Sequence, residues 1–362
     1  VATLLDKHLA PTLIGRDPIA SEDIWKFLYK GAYWRGGPIE MAAIAAIDMA
    51  LWDIKGKIAG LPVYKLLGGP TRKKLLTYAH TGGRDFAECV DTMLAAKARG
   101  FKVIRSQVQI PGMPGSYGAE DKNDPDLARS QAERLPYEGA WEPEPFIRTM
   151  PKLMAHLRTH VGWDVQMFFD AHGRLTPSEA ARLMHDIEDY KLIYLEDPIG
   201  PEHAPSMRRV RAGGTTPIAI GEIMSSRFEV LPMIIDQSID YMRCSPQHIG
   251  GITEAKKIAA IGEPHDVRTA YHGPGDIGPI GAAASAHVGM SIPNFGIQEW
   301  APHPEIVREV MPPALTYDDG YLMLSDAPGL GADINEELAA RFPYQRKYLP
   351  ATRRADGSMH GY

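Results

Sequence analysis

Three acids at matched intervals carry the first chemical signal in this chain. Asp170 closes the run DVQMFFD, Glu196 closes LIYLE and Glu222 closes PIAIGE. Each interval is 26 residues, which fits one strand, one helix and two short loops. In successive βα units the three acids then occupy the same place, the C-terminal tip of a parallel strand. Carboxylates brought that close repel one another unless a cation neutralises them. An all-oxygen ligand set selects a hard divalent ion, and Mg²⁺ is the expected one. One acid at a strand end more often just caps the next helix; three in phase after buried-type strands favour the metal.

His172 stands two residues beyond Asp170. Residues two apart in a strand share a face, so this histidine is expected beside the metal, with a packed core histidine as the alternative. Further polar side chains fall at the tips of other strand-like runs: His80, Arg243, His272 and Glu299. A cavity ringed by acids, histidines and an arginine suits a small, anionic, hydroxylated substrate that chelates the metal.

The elements that would position these groups alternate regularly. Strand-like runs occupy 75–80, 103–108, 164–171, 192–197, 218–222, 241–245, 267–272 and 295–300. Helical patterns lie between them, near 85–99, 145–160, 176–189, 202–212, 226–236, 251–262 and 278–290. This is the signature of an α/β chain forming a (β/α)₈ barrel. A doubly wound open sheet is the competitor, but it has one switch-point crevice and would use fewer strand tips.

Residues 1–73 read as a mostly helical capping domain, 74–300 as the catalytic barrel, and 301–362 as a tail packing back on the cap. In the cap, EMAAIAAIDMALWDIKGKIAG places Ile44, Ile47, Ala50, Leu51 and Ile54 on one helical face. Ser21 is the expected N-cap of an earlier helix. Residues 109–144 interrupt the rhythm with Gly, Pro and charge, and a loop of that length at the active-site end is expected to act as a lid.

Composition narrows the function classes. The 362 residues carry a formal net charge of −6 and no long Lys/Arg run, which argues against nucleic acid as the main partner. The two cysteines, Cys89 and Cys244, make neither a disulfide framework nor a zinc site by themselves. They suit a reducing cytoplasm, the expected location. The longest apolar stretch, MAAIAAIDMALW, is interrupted by Asp48 and is too short to span a membrane. The chain opens VATLLDKHL, without Met and without a signal-peptide pattern, so an N-terminal piece is expected to be missing.

With these residues in view, the sequence resembles the enolase superfamily over nearly its whole length. AAIAAIDMALWDIKGKIAGLPVYKLLGG is similar to that superfamily's linker into the barrel, and LEDP and GE match its second and third metal-ligand strands. More narrowly, RGAYWRGGP, IRSQVQIPG followed by SYG, DAH, HGPGD, PNFGIQEW and LPATRRADGS resemble the mannonate dehydratase branch. That branch includes proteins called starvation-sensing or galactonate-dehydratase-like.

The resemblance implies a Mg²⁺-dependent carbon–oxygen lyase. It would abstract the C2 proton of D-mannonate, with D-gluconate as a second candidate, and eliminate the C3 hydroxyl. The product would be 2-keto-3-deoxy-D-gluconate. Asp170, Glu196 and Glu222 match the Mg²⁺ ligands, Tyr117 with Arg105 a base dyad, and His172 the acid. His80, Arg243, His272, Asp276, Glu299 and Glu222 match substrate contacts. Pro274, where other members carry Ala, resembles poorly efficient members and is expected to set specificity. The resemblance also implies a homo-oligomer, a tetramer or octamer. The superfamily's N-terminal β-meander, and with it a polar substrate contact, has no counterpart in this sequence.

Two other readings stay open. A racemase, epimerase or cycloisomerase on the same scaffold typically needs a Lys base in a K-x-K pattern on the second strand, where this chain has Arg105-Ser106-Gln107. A non-enzymatic, metal-stabilised regulatory or moonlighting protein is the other.

Overall fold

The computed structural model describes residues 1–113, 119, 124–133, 135–275 and 277–361. The chain is α/β: a nearly closed barrel of eight parallel strands, an N-terminal cap and a small C-terminal sheet. The strands are β1 Leu75–Gly83, β2 Val103–Val108, β3 Glu138–Ala140, β4 Gln166–Phe168, β5 Leu195–Glu196, β6 Ile218–Ile220 and β7 Tyr241–Met242. They continue with β8 Arg268–Tyr271, β9 Phe295–Glu299, β10 Leu315–Asp318, β11 Tyr321–Leu324, β12 Ala351–Arg353 and β13 Met359–Gly361. All eight strands expected of the barrel are present, as β1, β2 and β4–β9. β2 and β6 are buried along their whole length, as parallel strands covered on both faces must be.

The fold divides into two compact units, residues 1–77 with 219–341 and residues 78–218 with 342–362. In the first, β6, β7, β8 and β9 pair in parallel, and the start of β1 pairs antiparallel with the β10–β11 hairpin. The long cap helix Pro38–Ala59 opens with proline in its first turn and ends at Gly60 in the left-handed region, φ 64°, the usual punctuation at both ends. Its buried face is Met41, Ile44, Ala45, Asp48 and Leu51, whereas Ile54 is exposed. The expected stripe is kept at Ile44 and Leu51, with Ile47 half-buried against the core, and loses Ala50 and Ile54 to the exposed side. Asp48 joins the buried face for a polar reason: its Oδ2 accepts from Thr253 N at 3.0 Å and so caps the helix Ile252–Gly262. Ser21 is inside its helix, which Ala20 caps without a side-chain bond. Residues 301–341 also meet the cap here, with Leu330 N donating to Asp53 Oδ1 at 2.8 Å and Val63 N to Gly329 O at 3.0 Å.

In the second unit β1 pairs in parallel with β2, and β2 with β4. β4 and β5 are joined by the isolated Asp170–Glu196 bridge rather than by a regular ladder. The 109–144 insertion is not one loop. It contains the helix Pro125–Glu133 and β3, which joins β12 and β13 in a separate three-stranded sheet. Strand pairing with the C-terminal segment gives it order that its own composition does not signal. Among the described residues, no helix is long and apolar enough to cross a membrane. Cys89 and Cys244 are buried and free, and burial pushes the Cys89 thiol up to about 11.

Two buried groups in the first unit make its stability depend on pH in opposite senses. His287 Nδ1 accepts from Tyr64 N at 3.1 Å, and its Nε2 donates to Leu330 O at 3.1 Å. Both ring nitrogens are thus used by the neutral form, and burial pushes its pKa down to about 4. Between pH 6.5 and 4 the unfolded chain takes up a proton that the folded chain refuses, so stability falls as pH falls. Burial pushes the Asp48 carboxyl up to about 7. Between pH 3.8 and 7 the folded chain keeps a proton that the unfolded chain loses, so stability falls as pH rises. Each shift is worth on the order of 3 kcal/mol, and the two oppose each other between pH 4 and 6.5. Asp48→Asn is expected to produce a melting temperature that climbs with pH across that window more steeply than in the wild type. His287→Gln is expected to reverse the slope. Thermal unfolding followed by circular dichroism checks this, and an unchanged slope in Asp48→Asn would refute the assignment.

Candidate active site

The second unit gathers three acids where β4 and β5 end. β4 stops at Phe168, and the chain runs on through Phe169 to Asp170; β5 stops at Glu196. Ala171 N donates to Glu196 O at 3.0 Å and Glu196 N to Phe169 O at 3.4 Å, holding the two strand ends side by side. Carboxylate oxygens of Asp170, Glu196 and Asp197 lie within 4.8 Å of one another. None of the three residues is more than 2% exposed. Arg105, projecting from β2, donates from Nη1 to Asp170 Oδ2 at 3.2 Å and to Glu196 Oε1 at 3.1 Å. Gln107, two residues along the same strand, donates from Nε2 to Asp170 O at 2.9 Å.

This donor set fits a hard divalent cation. It is all oxygen, buried, and gathers three carboxyl groups at one point. Asp170, Glu196 and Asp197 are the residues that could hold it. Asp197 is absent from the sequence-level expectation because strand alternation turns a residue next to a ligand away from it. The strand ends at Glu196, however, and Asp197 adopts φ 38°, so the alternation does not reach it. The adjacent acids in LEDP were the available signal.

His172 reaches the same neighbourhood by a turn, not by strand alternation. Its φ is 55°, a left-handed conformation that non-glycine residues adopt only when the surroundings hold them. Its N donates to Asp170 Oδ1 at 2.6 Å, and Gly173 N donates to Asp197 O at 2.6 Å. The next helix, Pro177–Asp186, then starts with a capping box in which Thr176 N donates to Glu179 Oε2 at 2.8 Å. Gln107, Trp141, Asp170, His172 and Arg174 line a small cavity. His80 lies within β1, in register with Arg105, with its ring edge-on to Tyr78 at 5.1 Å. A wider groove of about 740 Å³, lined by Leu127, Tyr137 and Tyr348 among others, contains none of these acids.

The first unit holds a second polar cluster. Arg243, fully buried beyond β7, donates from Nη2 to Glu222 Oε2 at 2.9 Å and to Glu299 Oε2 at 3.0 Å. His272 Nε2 is 3.7 Å from Glu222 Oε2, and Gly273 N donates to Glu299 Oε2 at 3.2 Å. Pro274 follows in the same loop, where its carbonyl accepts from Ile277 N at 3.0 Å. Glu222 is thus tied to Arg243. Tyr117 and Asp276 lie outside the described residues.

Comparison with known proteins agrees with this architecture. Residues 90–338 match the "Enolase C-terminal domain-like" family, and residues 1–68 match the "Mandelate racemase / muconate lactonizing enzyme, N-terminal domain". A D-mannonate dehydratase of Caulobacter vibrioides is 46% identical over all of this chain and 89% of its own length. A D-galactonate dehydratase family member of Streptomyces bingchenggensis is 44% identical over 99% of this chain and 87% of its own. Among solved structures, an enolase from Pantoea ananatis with bound D-gluconate and Mg superposes with a TM-score of 0.90 at 41% identity, covering 99% of this chain and 89% of that one. The chain belongs to the enolase superfamily, in the mandelate racemase/muconate lactonizing enzyme family, alongside relatives named D-mannonate dehydratase and D-galactonate dehydratase family member.

Proposed function

We propose that this chain is a Mg²⁺-dependent acid-sugar dehydratase, a hydro-lyase. It acts on D-mannonate, with D-gluconate as a second candidate, and forms 2-keto-3-deoxy-D-gluconate. The observation that carries this reading is the buried Asp170–Glu196–Asp197 cluster beside Arg105 and His172, in a chain whose relatives include D-mannonate dehydratases. The gluconate-bound Pantoea structure supports a sugar acid as the substrate class. Relatives of nearly equal identity carry the galactonate family name, so the substrate is to be decided with a panel of hexonates and pentonates.

A divalent cation at the cluster would supply positive charge to the substrate carboxylate, where charge builds as the C2 proton leaves. The chain's own residues then divide the proton traffic. Tyr117 takes the C2 proton. A free phenol has a pKa of about 10 and is mostly neutral at pH 7, so it needs a cation to favour the phenolate. Arg105 is the candidate: a guanidinium stays charged at any working pH and cannot itself accept a proton. That property also argues against the lysine-type base of a racemase at this strand. His172, held in its turn by Asp170, delivers a proton to the departing C3 hydroxyl. The family resemblance assigns His80, Arg243, His272, Asp276 and Glu299 to substrate contacts, Glu222 to both metal and substrate, and Pro274 to specificity with low efficiency.

Two experiments test this. Glu196→Gln removes one charge at nearly constant size, and its affinity for Mg²⁺ is expected to drop at least about ten-fold with the fold intact by circular dichroism; unchanged affinity by calorimetry would sink the metal assignment. In deuterium oxide, Tyr117→Phe is expected to abolish both 2-keto product and exchange of the substrate C2 hydrogen. His172→Asn should block dehydration while leaving that exchange measurable. Wild-type exchange in Tyr117→Phe would move the base elsewhere.

A further inference from the structure

The C-terminal hairpin touches both β3 and the loop that carries His172. β12 pairs in parallel with β3, Thr352 opposite Gly139, and antiparallel with β13. Ala351 N donates to Tyr137 O at 2.7 Å and Trp141 N to Arg353 O at 2.9 Å, so the hairpin fixes the exit of the 109–144 insertion on both sides of β3. Trp141, the residue after β3, is 1% exposed. His360, in β13, stacks on it with ring centroids 4.8 Å apart and planes 17° apart. His360 Nε2 is 3.0 Å from Arg174 O. A carbonyl only accepts, so Nε2 carries the proton and donates. Arg174 is two residues beyond His172, is itself buried, and places its guanidinium carbon 5.6 Å from the Trp141 ring centroid.

We infer that His360 and Trp141 are positioning residues: the C-terminal hairpin clamps β3 and Trp141 to the loop that carries His172. The inference rests on the function proposed above, which makes His172 the acid. Strand pairing on one side, and a stack with one hydrogen bond on the other, would then set where the His172 loop lies against β3. The loop would not have to hold that place alone. The left-handed backbone of His172 is strained, so the turn needs such external support. A misplacement of about 1 Å in a catalytic constellation can cost about 100-fold in rate.

His360 is only half buried, so its replacement leaves no core cavity. His360→Ala removes stack and hydrogen bond, His360→Phe keeps the stack, and His360→Gln keeps a donor. Amide exchange of residues 171–174 is the first readout, because their N–H groups bond to Glu196, Asp170, Asp197 and Ala171. In His360→Ala that exchange is expected to quicken about ten-fold or more, with residues 219–341 unchanged. With D-mannonate, kcat should fall about 10- to 100-fold while KM moves less than about three-fold, and His360→Gln should recover more activity than His360→Phe. Unchanged exchange at 171–174 in His360→Ala overturns the inference, as does quickened exchange with unchanged kcat. If the wild type dehydrates no sugar acid, the function reading fails, and the exchange measurement alone decides whether the hairpin holds the His172 loop.

Discussion

Burying three carboxylates against one another is the constraint on which the second unit is built. Charges taken out of water at such separations raise the energy of the fold unless each is met by a partner. Arg105 meets two of them, Asp170 and Glu196, and removing a partner of that kind from a buried pair typically costs about 3–5 kcal/mol. The cluster also coincides with the place where the barrel strands lose their ladder. β4 and β5 meet through the Asp170–Glu196 bridge, so the residues that concentrate negative charge are the ones that bring the strand ends together. A cation bound there would relieve repulsion and reinforce closure at the same point.

The first unit repeats the device. Arg243, with no exposed surface, lies between Glu222 and Glu299 as Arg105 lies between Asp170 and Glu196. In both cases one guanidinium nitrogen donates to two carboxylates at once. In both, a loop amide is held by one of the same carboxylates: His172 N by Asp170, and Gly273 N by Glu299. The acids therefore shape the loops around them as well as setting the charge. That double use helps His172 keep a left-handed backbone that would otherwise relax.

The cap shows a polar group taking a position that apolar periodicity would give to a hydrophobe. Asp48 sits in the middle of the buried face of its helix because the helix Ile252–Gly262 needs an acceptor for its first amides. His287 is the counterpart, a buried ring used at both nitrogens to join Tyr64 to Leu330. Burial favours the neutral form of each, so fold and pH dependence come from the same groups.

The order of strands and helices was legible in the sequence because each strand needs only its own apolar run and each helix its own period; the eight barrel strands follow from that. The equal spacing of Asp170, Glu196 and Glu222 was legible for the same reason, since one βα unit has a nearly constant length. What needed the tertiary structure was everything set by contacts across the chain. Asp197 joins the acidic cluster because β5 ends one residue before it. Asp48 is drawn into the buried face of the cap helix by a helix some two hundred residues away. The 109–144 insertion carries a strand because residues 351–353 pair with it. Local patterns encode the spacing of the acids; which oxygens face each other depends on where strands stop and which distant amides need partners, and no short window of sequence contains both sides of such a contact.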